Sequence, residues 1–235
     1  MRLAVLETGV PPVDLGERFG GYPDMFERLL GLGPLDRFDV QRAHWPAAPQ
    51  DYDAYLITGS PAGVYDPLPW IEDLMTFLRA AKGKAALVGV CFGHQAMAQA
   101  FGGAVIKSPK GWGVGLHEYH VTAGQPWMDD APSFAIPASH QDQVVIAPPQ
   151  AEVIASSAFT PFAALTYRDQ HAISFQGHPE FEADFAQALL SERRGSRLSE
   201  GEADAAIASL ERPNDCARIG GWIKAFMTEA SFDKS

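Results

Sequence analysis

Residues 85–101, AALVGVCFGHQAMAQAF, constrain the fold more than any other stretch. An apolar run of strand length ends at Val90, and an Ala-rich helical segment begins almost at once, with Cys91 between two glycines at the junction. A strand that passes directly into a helix is the repeating unit of a parallel sheet covered by helices. The runs RLAVLET (2–8), FDVQRAH (38–44), AYLITG (54–59) and AALVGV (85–90) read as four strands of such a sheet. Helical periodicity lies between them. Over 68–82, Ile71, Leu74, Met75 and Leu78 share one face, with Pro69 and Glu72 in the first turn and Gly83 at the stop. A shorter helix is expected from Asp24 to Leu32.

From 104 to 176 the pattern shifts to short apolar runs, HEYHVT, QVVIA, AEVIASS, AALTY and AISF, cut by Gly, Pro and Asp turns. These predict a β-rich insertion. The chain then returns to helix. Ser199 and Glu202 are spaced as a capping box, and Cys216, Ile219, Ile223 and Phe226 line a last amphipathic helix. The reading is one α/β domain over 1–235, with a helical C-terminal extension from about 196 to 235.

Composition narrows the function classes. With 46% hydrophobic residues, the 235-residue chain can bury enough apolar surface to offset the entropy of ordering. Eighteen Lys and Arg against 29 Asp and Glu give a net charge of −11, which speaks against a nucleic-acid partner. No apolar run approaches the roughly 18 residues of a membrane span, and MRLAVLETGV lacks the core of a signal peptide, so a cytoplasmic protein without a membrane partner is expected. Two cysteines make no disulfide scaffold, and they and the histidines show no zinc-type spacing, so neither metal nor cofactor is expected.

The Gly-x-Cys-x-Gly frame at a strand–helix junction is the context of a nucleophile elbow. There the helix N-terminus favours thiolate, and the amide of Phe92 is placed to stabilise an oxyanion. An inert buried cysteine is the plainer reading of a lone Cys in an apolar run, but not of this frame. Three histidines compete as the base. His94 is held on the same helix as Cys91, and His140, in SHQDQV, could line a pocket. His178, in AISFQGHPEF, follows an apolar strand, and with an extended backbone through Pro179 it projects to the same side as Glu180. Glu180 would then orient the imidazole. In ITGSPAGVYD (56–65), a strand ends at Gly59 and Ser60, leaving amides free to bind negative charge. The Gly-rich KGWGVG (110–115) lacks a phosphate-loop frame and reads as a turn near the pocket.

GVCFGHQ, TGSP and QGHPE, in that order, resemble the class I (triad) glutamine amidotransferases, most closely the amidotransferase domain of GMP synthetases and its free-standing relatives. The likeness spans roughly 1–190. It implies a three-layer, flavodoxin-like fold in which a mostly parallel sheet has helices on both faces. It also implies Cys91 as nucleophile, His178 as base and acid, and Glu180 as the orienting acid. Oxyanion amides would come from Phe92 and from Gly59 or Ser60. Gln95 would hold the substrate side chain, and Ser139, His140, Gln141 and Asp142 its amino-acid end. SHQD and QGHPE depart from the GMP synthetase pattern towards free-standing relatives, which include γ-glutamyl peptidases. Three functions follow as expectations. The first is release of ammonia from glutamine, with a separate synthetase or acceptor chain as partner. The second is a γ-glutamyl peptidase or conjugate hydrolase, and the third a non-catalytic regulatory subunit.

Overall fold

Strand β1 (Leu3–Glu7) lies at the heart of the fold because both of its faces are apolar. Leu3 and Val5 pack into one core, and Ala4 and Leu6 into another on the opposite face. Strands β3 (Ala54–Ile57) and β4 (Ala86–Val90) repeat the alternation, which gives near-continuous hydrophobic runs, as expected for strands covered on both sides. In this computed structural model, which describes residues 1–229, helices α2 (Tyr22–Leu30) and α7 (Cys216–Glu229) cover the first face. Helices α3 (Pro69–Ala81) and α4 (Phe92–Ala100) cover the second.

Parallel pairing joins β2 (Asp36–Asp39), β1, β3, β4 and β11 (Ala172–Phe175) in that order. The β-rich stretch does not form a separate layer. Strands β10 (Ala164–Tyr167), β9 (Ala151–Ser156), β6 (Gly113–Val121) and β7 (Ser133–His140) extend the same sheet antiparallel beyond β11, nine strands in all among the described residues. Only β5 (Ala104–Lys107) and β8 (Asp142–Ile146) pair off as a small second sheet. The fold is thus the expected α/β class with helices on both faces.

Several boundaries differ from expectation. The second strand runs 36–39 instead of 38–44, because the Asp39 carboxylate accepts from the Arg42 amide and turns the chain into a 3-10 helix. The first expected helix starts earlier, at Tyr22, and stops at Leu30, where Gly31 takes a left-handed φ of 58°. Helix α1 (Val13–Phe19) and strand β7 were not among the expected elements. Pro137 interrupts the strand pattern of β7, which is tolerable because β7 is the sheet's edge.

Helix α5 (Ala183–Arg193) packs with α1 and with α6 (Glu200–Ser209) in a third core. The capping box forms as read: the Ser199 hydroxyl accepts from the Glu202 amide, and Glu202 accepts from the Ser199 amide. The last helix buries Ile219, Ile223 and Phe226, with Cys216 half-buried. The final residues of the expected extension, 230–235, lie outside the described residues. No helix among the described residues is long and apolar enough to cross a membrane.

Candidate active site

Cys91 has φ 53° and ψ −103°, a conformation that L residues other than glycine rarely adopt. The junction enforces it. The Cys91 amide donates to the Phe175 carbonyl on β11, while the Gly93 amide donates to the Thr58 carbonyl beyond β3. Both flanking glycines are sterically required. A Cβ at 93 would lie 2.3 Å from the Ile57 carbonyl oxygen, and one at 89 would lie 2.6 Å from the Gly93 carbonyl oxygen. Strain of this kind persists only where surrounding structure dictates it. It places the thiol at the carboxyl edge of the parallel strands and at the N-terminus of α4, where partial positive charge favours an anion. The Phe92 ring is buried against Trp70, and its amide, at the first position of α4, makes no hydrogen bond among the described residues.

The loop after β3 reaches the same place. A Cβ on Gly59 would stand 3.1 Å from His178 Cε1 and 3.8 Å from Cys91 Cβ. Any side chain here would have to push the imidazole back by a few tenths of an ångström. The loop is pinned from behind by Thr8, whose hydroxyl hydrogen-bonds the carbonyls of Thr58 (2.9 Å) and Gly59 (3.1 Å) in a fully buried network. Sequence reading passed over Thr8, since nothing local marks it. Ser60 borders Cys91, with its hydroxyl accepting from the Ala62 amide.

His178 and Glu180 come together with Cys91, though not through an extended backbone. The chain turns at Pro179 and Glu180, and the Phe181 amide donates to the His178 carbonyl. The His178 amide donates to the Pro137 carbonyl at 2.7 Å, so the outer edge of β7 anchors this turn. His178 Nδ1 lies 2.7 Å from Glu180 Oε1, and the ring stacks on Phe181 at a centroid distance of 3.9 Å. Burial alone would push the imidazole pKa down. The neighbouring Glu180 carboxylate, with a smaller contribution from Cys91, outweighs it, and the pKa is raised.

The other two histidines are placed differently. His94 is fully buried with Nδ1 2.8 Å from the Ser174 hydroxyl, and burial lowers its pKa to about 3. His140, at the end of β7, is also buried, with Nδ1 3.2 Å from the Asp142 carbonyl and its pKa lowered to about 3 mainly by burial. Both are neutral near pH 7.

A cavity of about 450 Å³ borders Cys91 and is lined by Gln95, Ser139, His140, Gln141 and Asp142. All five expected binding residues therefore converge. Gln95 donates its side-chain amide to the Asp142 carbonyl (2.9 Å) and to Gln176 Oε1 (3.2 Å), which fixes it against the β7–β8 turn. The Asp142 carboxylate accepts from the Tyr65 hydroxyl at 2.9 Å, and burial raises its pKa against the lowering effect of that bond. Of KGWGVG, expected to be a turn, residues 113–115 instead begin β6, and Trp112 just before them lines the same cavity. A second cavity, of about 360 Å³, adjoins the first at Ser60, Pro61, Cys91 and Ser139, and it alone is lined by His178.

Arg193 and Arg197 line both cavities, and no sequence signal pointed to them. They lie at the end of α5 and in the turn after it, about a hundred residues past Cys91, in a segment that reads as an ordinary exposed helix end. The Arg193 guanidinium donates to the Ser139 hydroxyl and sits over the Trp112 ring. Among the described residues, no three His, Cys, Asp or Glu side chains gather in a metal-holding group.

Known proteins share this arrangement of chain. Residues 34–192 match the family model described as glutamine amidotransferase class-I. A glutamine amidotransferase-like protein of Schizosaccharomyces pombe is 28% identical, over 97% of this chain and 98% of its own length. Gamma-glutamyl peptidase 3 of Arabidopsis thaliana is 28% identical over 82% of each chain. A solved glutamine amidotransferase from Thermotoga maritima superposes with a TM-score of 0.74 at 17% identity, covering 97% of this chain and 98% of that one. A second, from Methylobacillus flagellatus, gives 0.68 at 23% identity over 95% and 94%. These two show the shared fold, and the matched family model shows the membership: the chain belongs to the class I glutamine amidotransferase family.

Proposed function

We propose that the protein is a cysteine-dependent hydrolase of γ-glutamyl amides, with glutamine as the reference substrate. The observation that carries this reading is the strained Cys91 at the sheet edge, lining one cavity with a buried imidazole that Glu180 holds at Nδ1. In this reading the γ-glutamyl part occupies the cavity beside Gln95 and Asp142, with its carbonyl carbon over Cys91 Sγ. The thiolate attacks that carbon. The oxyanion is met by the Phe92 amide and by that of Gly59 or Ser60, none of which is hydrogen-bonded among the described residues. His178 gives its proton to the leaving nitrogen, and the C–N bond breaks to leave a γ-glutamyl thioester. Water then attacks the thioester with His178 as base, releasing glutamate and restoring the thiol. Glu180 keeps the imidazole in the tautomer and orientation that both steps need.

The test is release of ammonia from glutamine, and of amine from other γ-glutamyl amides, by the purified chain, with Cys91→Ala as control. The reading predicts turnover of at least one of these by the wild type and none by the variant. Turnover that survives in Cys91→Ala sinks it.

A further inference from the structure

The cavity on the His178 side is larger than the release of ammonia requires. It holds about 360 Å³ beyond the thiol, and beside its polar lining it has an apolar wall of Val10, Pro11, Val13, Tyr22, Phe181 and Leu189. Val10 and Val13 are largely exposed at its rim, so apolar surface there is left uncovered by the described residues. His178 lines this cavity and not the other, so a nitrogen leaving towards His178 carries its substituent into this space.

Charge supplies the second observation. In a chain of net charge −11, Arg193 and Arg197 border the cavity, and neither forms an ion pair with a carboxylate among the described residues. Arg193 pairs with the neutral Ser139 hydroxyl and the Trp112 face, and the Arg197 side chain makes no ion pair or hydrogen bond among the described residues. Glu192 lies on the same rim, which leaves it one net positive charge. Burial lowers the Arg193 pKa, and an anionic ligand would relieve that penalty. Arg194, the next residue after α5, is differently placed: it is matched by Asp204 and Glu200.

We infer that this cavity is a leaving-group subsite, selecting γ-glutamyl amides whose amine is an amino acid or short peptide with an apolar side chain and a free carboxylate. The apolar wall takes the side chain. The two guanidinium groups match the two carboxylates of such a substrate, Arg193 beside Ser139 meeting that of the glutamyl part and Arg197 that of the leaving group. Glutamine offers only one carboxylate and no apolar substituent. The inference rests on the γ-glutamyl hydrolase reading above and refines its substrate. The chemistry balances with water as the co-reactant: the amide C–N bond is replaced by the thioester C–S bond, the proton passes from His178 to the departing amine, and water then restores the acid and the thiol.

The experiment compares kcat/KM for glutamine, γ-glutamyl-phenylalanine and γ-glutamyl-phenylalanine amide, in the wild type and in Arg197→Ala and Arg197→Lys. The wild type should prefer γ-glutamyl-phenylalanine over glutamine by at least about tenfold, and over its amide by about tenfold, the scale of one charged hydrogen bond. Arg197→Ala should collapse the acid-to-amide ratio towards one, and Arg197→Lys should keep part of it. A purely structural role for Arg197 would lower all three substrates together and leave the ratio intact. Equal or better use of glutamine by the wild type overturns the subsite, as does an acid-to-amide ratio near one. Labelling of Cys91 by an electrophilic glutamine analogue separates the two failures: with Cys91 labelled, only the subsite falls, and with Cys91 unlabelled and no substrate turned over, the hydrolase reading falls with it.

Discussion

His178 Nδ1 stands 2.7 Å from Glu180 Oε1, and both side chains are almost wholly withdrawn from water. A carboxylate at that depth is sustained by its cationic partner, and the partner's raised pKa is the same interaction seen from the other side. Glu180→Gln keeps the shape and removes the charge. The imidazolium would then lose its main support, and the alkaline limb of the kcat/KM profile should move to lower pH. Turnover should fall by about 10²- to 10⁴-fold, the range for loss of an orienting acid or a general acid–base group. A pH–rate profile identical to the wild type's would show that Glu180 does not set the charge of His178.

Gly59→Ala tests how tightly the loop and the imidazole are fitted. The new Cβ would sit 3.1 Å from His178 Cε1, close enough to displace the ring by a few tenths of an ångström. Turnover should drop by about 10- to 100-fold, because small misplacements of a reacting group are costly. The denaturant midpoint should change little, since Cys91 Cβ would still be 3.8 Å away. Gly93→Ala should behave oppositely: its Cβ would meet the Ile57 carbonyl oxygen at 2.3 Å, and stability should fall by about 3 kcal/mol.

The elbow stores strain at Cys91, and glycine at that position should release it. Cys91→Gly should be more stable than Cys91→Ala by about 1 kcal/mol, the strain relieved less the added chain entropy of glycine. Urea unfolding of the two variants checks this. Equal stability would mean that φ 53° costs nothing at this site.

His94 and His140 act on stability in the opposite sense to His178. Their pKa values are lowered to about 3 from the ordinary 6.5, so the unfolded chain takes up protons that the folded chain refuses. Their contribution is complete above pH 6.5 and is lost as pH falls below it, by about 1.4 kcal/mol per pH unit for each residue. His178, with its raised value, contributes below pH 6.5 and loses that contribution as pH rises through the raised value. His94→Gln should therefore flatten the loss of urea stability between pH 6.5 and 5. An unchanged acid slope in His94→Gln would contradict the neutral burial of His94.

What the sequence revealed follows the range of the interactions involved. The elbow was legible because strand, glycines and helix are contiguous, although the contacts that lock the turn come from Ile57, Thr58 and Phe175, far away in sequence. The pairing of His178 with Glu180 was legible from their spacing, although a turn and not an extended chain produces it. The turn depends on the Pro137 carbonyl on β7, a strand that the proline hid from pattern reading. Thr8, Gln176, Arg193 and Arg197 were not legible. Each is an ordinary residue in its own segment, and only the tertiary fold carries it to Cys91.

The central claim is that Cys91 carries the γ-glutamyl group between two chemical steps. Rapid acid quench during turnover of a γ-glutamyl amide, followed by mass spectrometry of the digested protein, tests it most directly. The account predicts one γ-glutamyl adduct on the peptide bearing Cys91, increased in Glu180→Gln if water attack slows more than acylation, and absent from Cys91→Ala. Amine release without any adduct on Cys91, or an adduct on another residue, would contradict it.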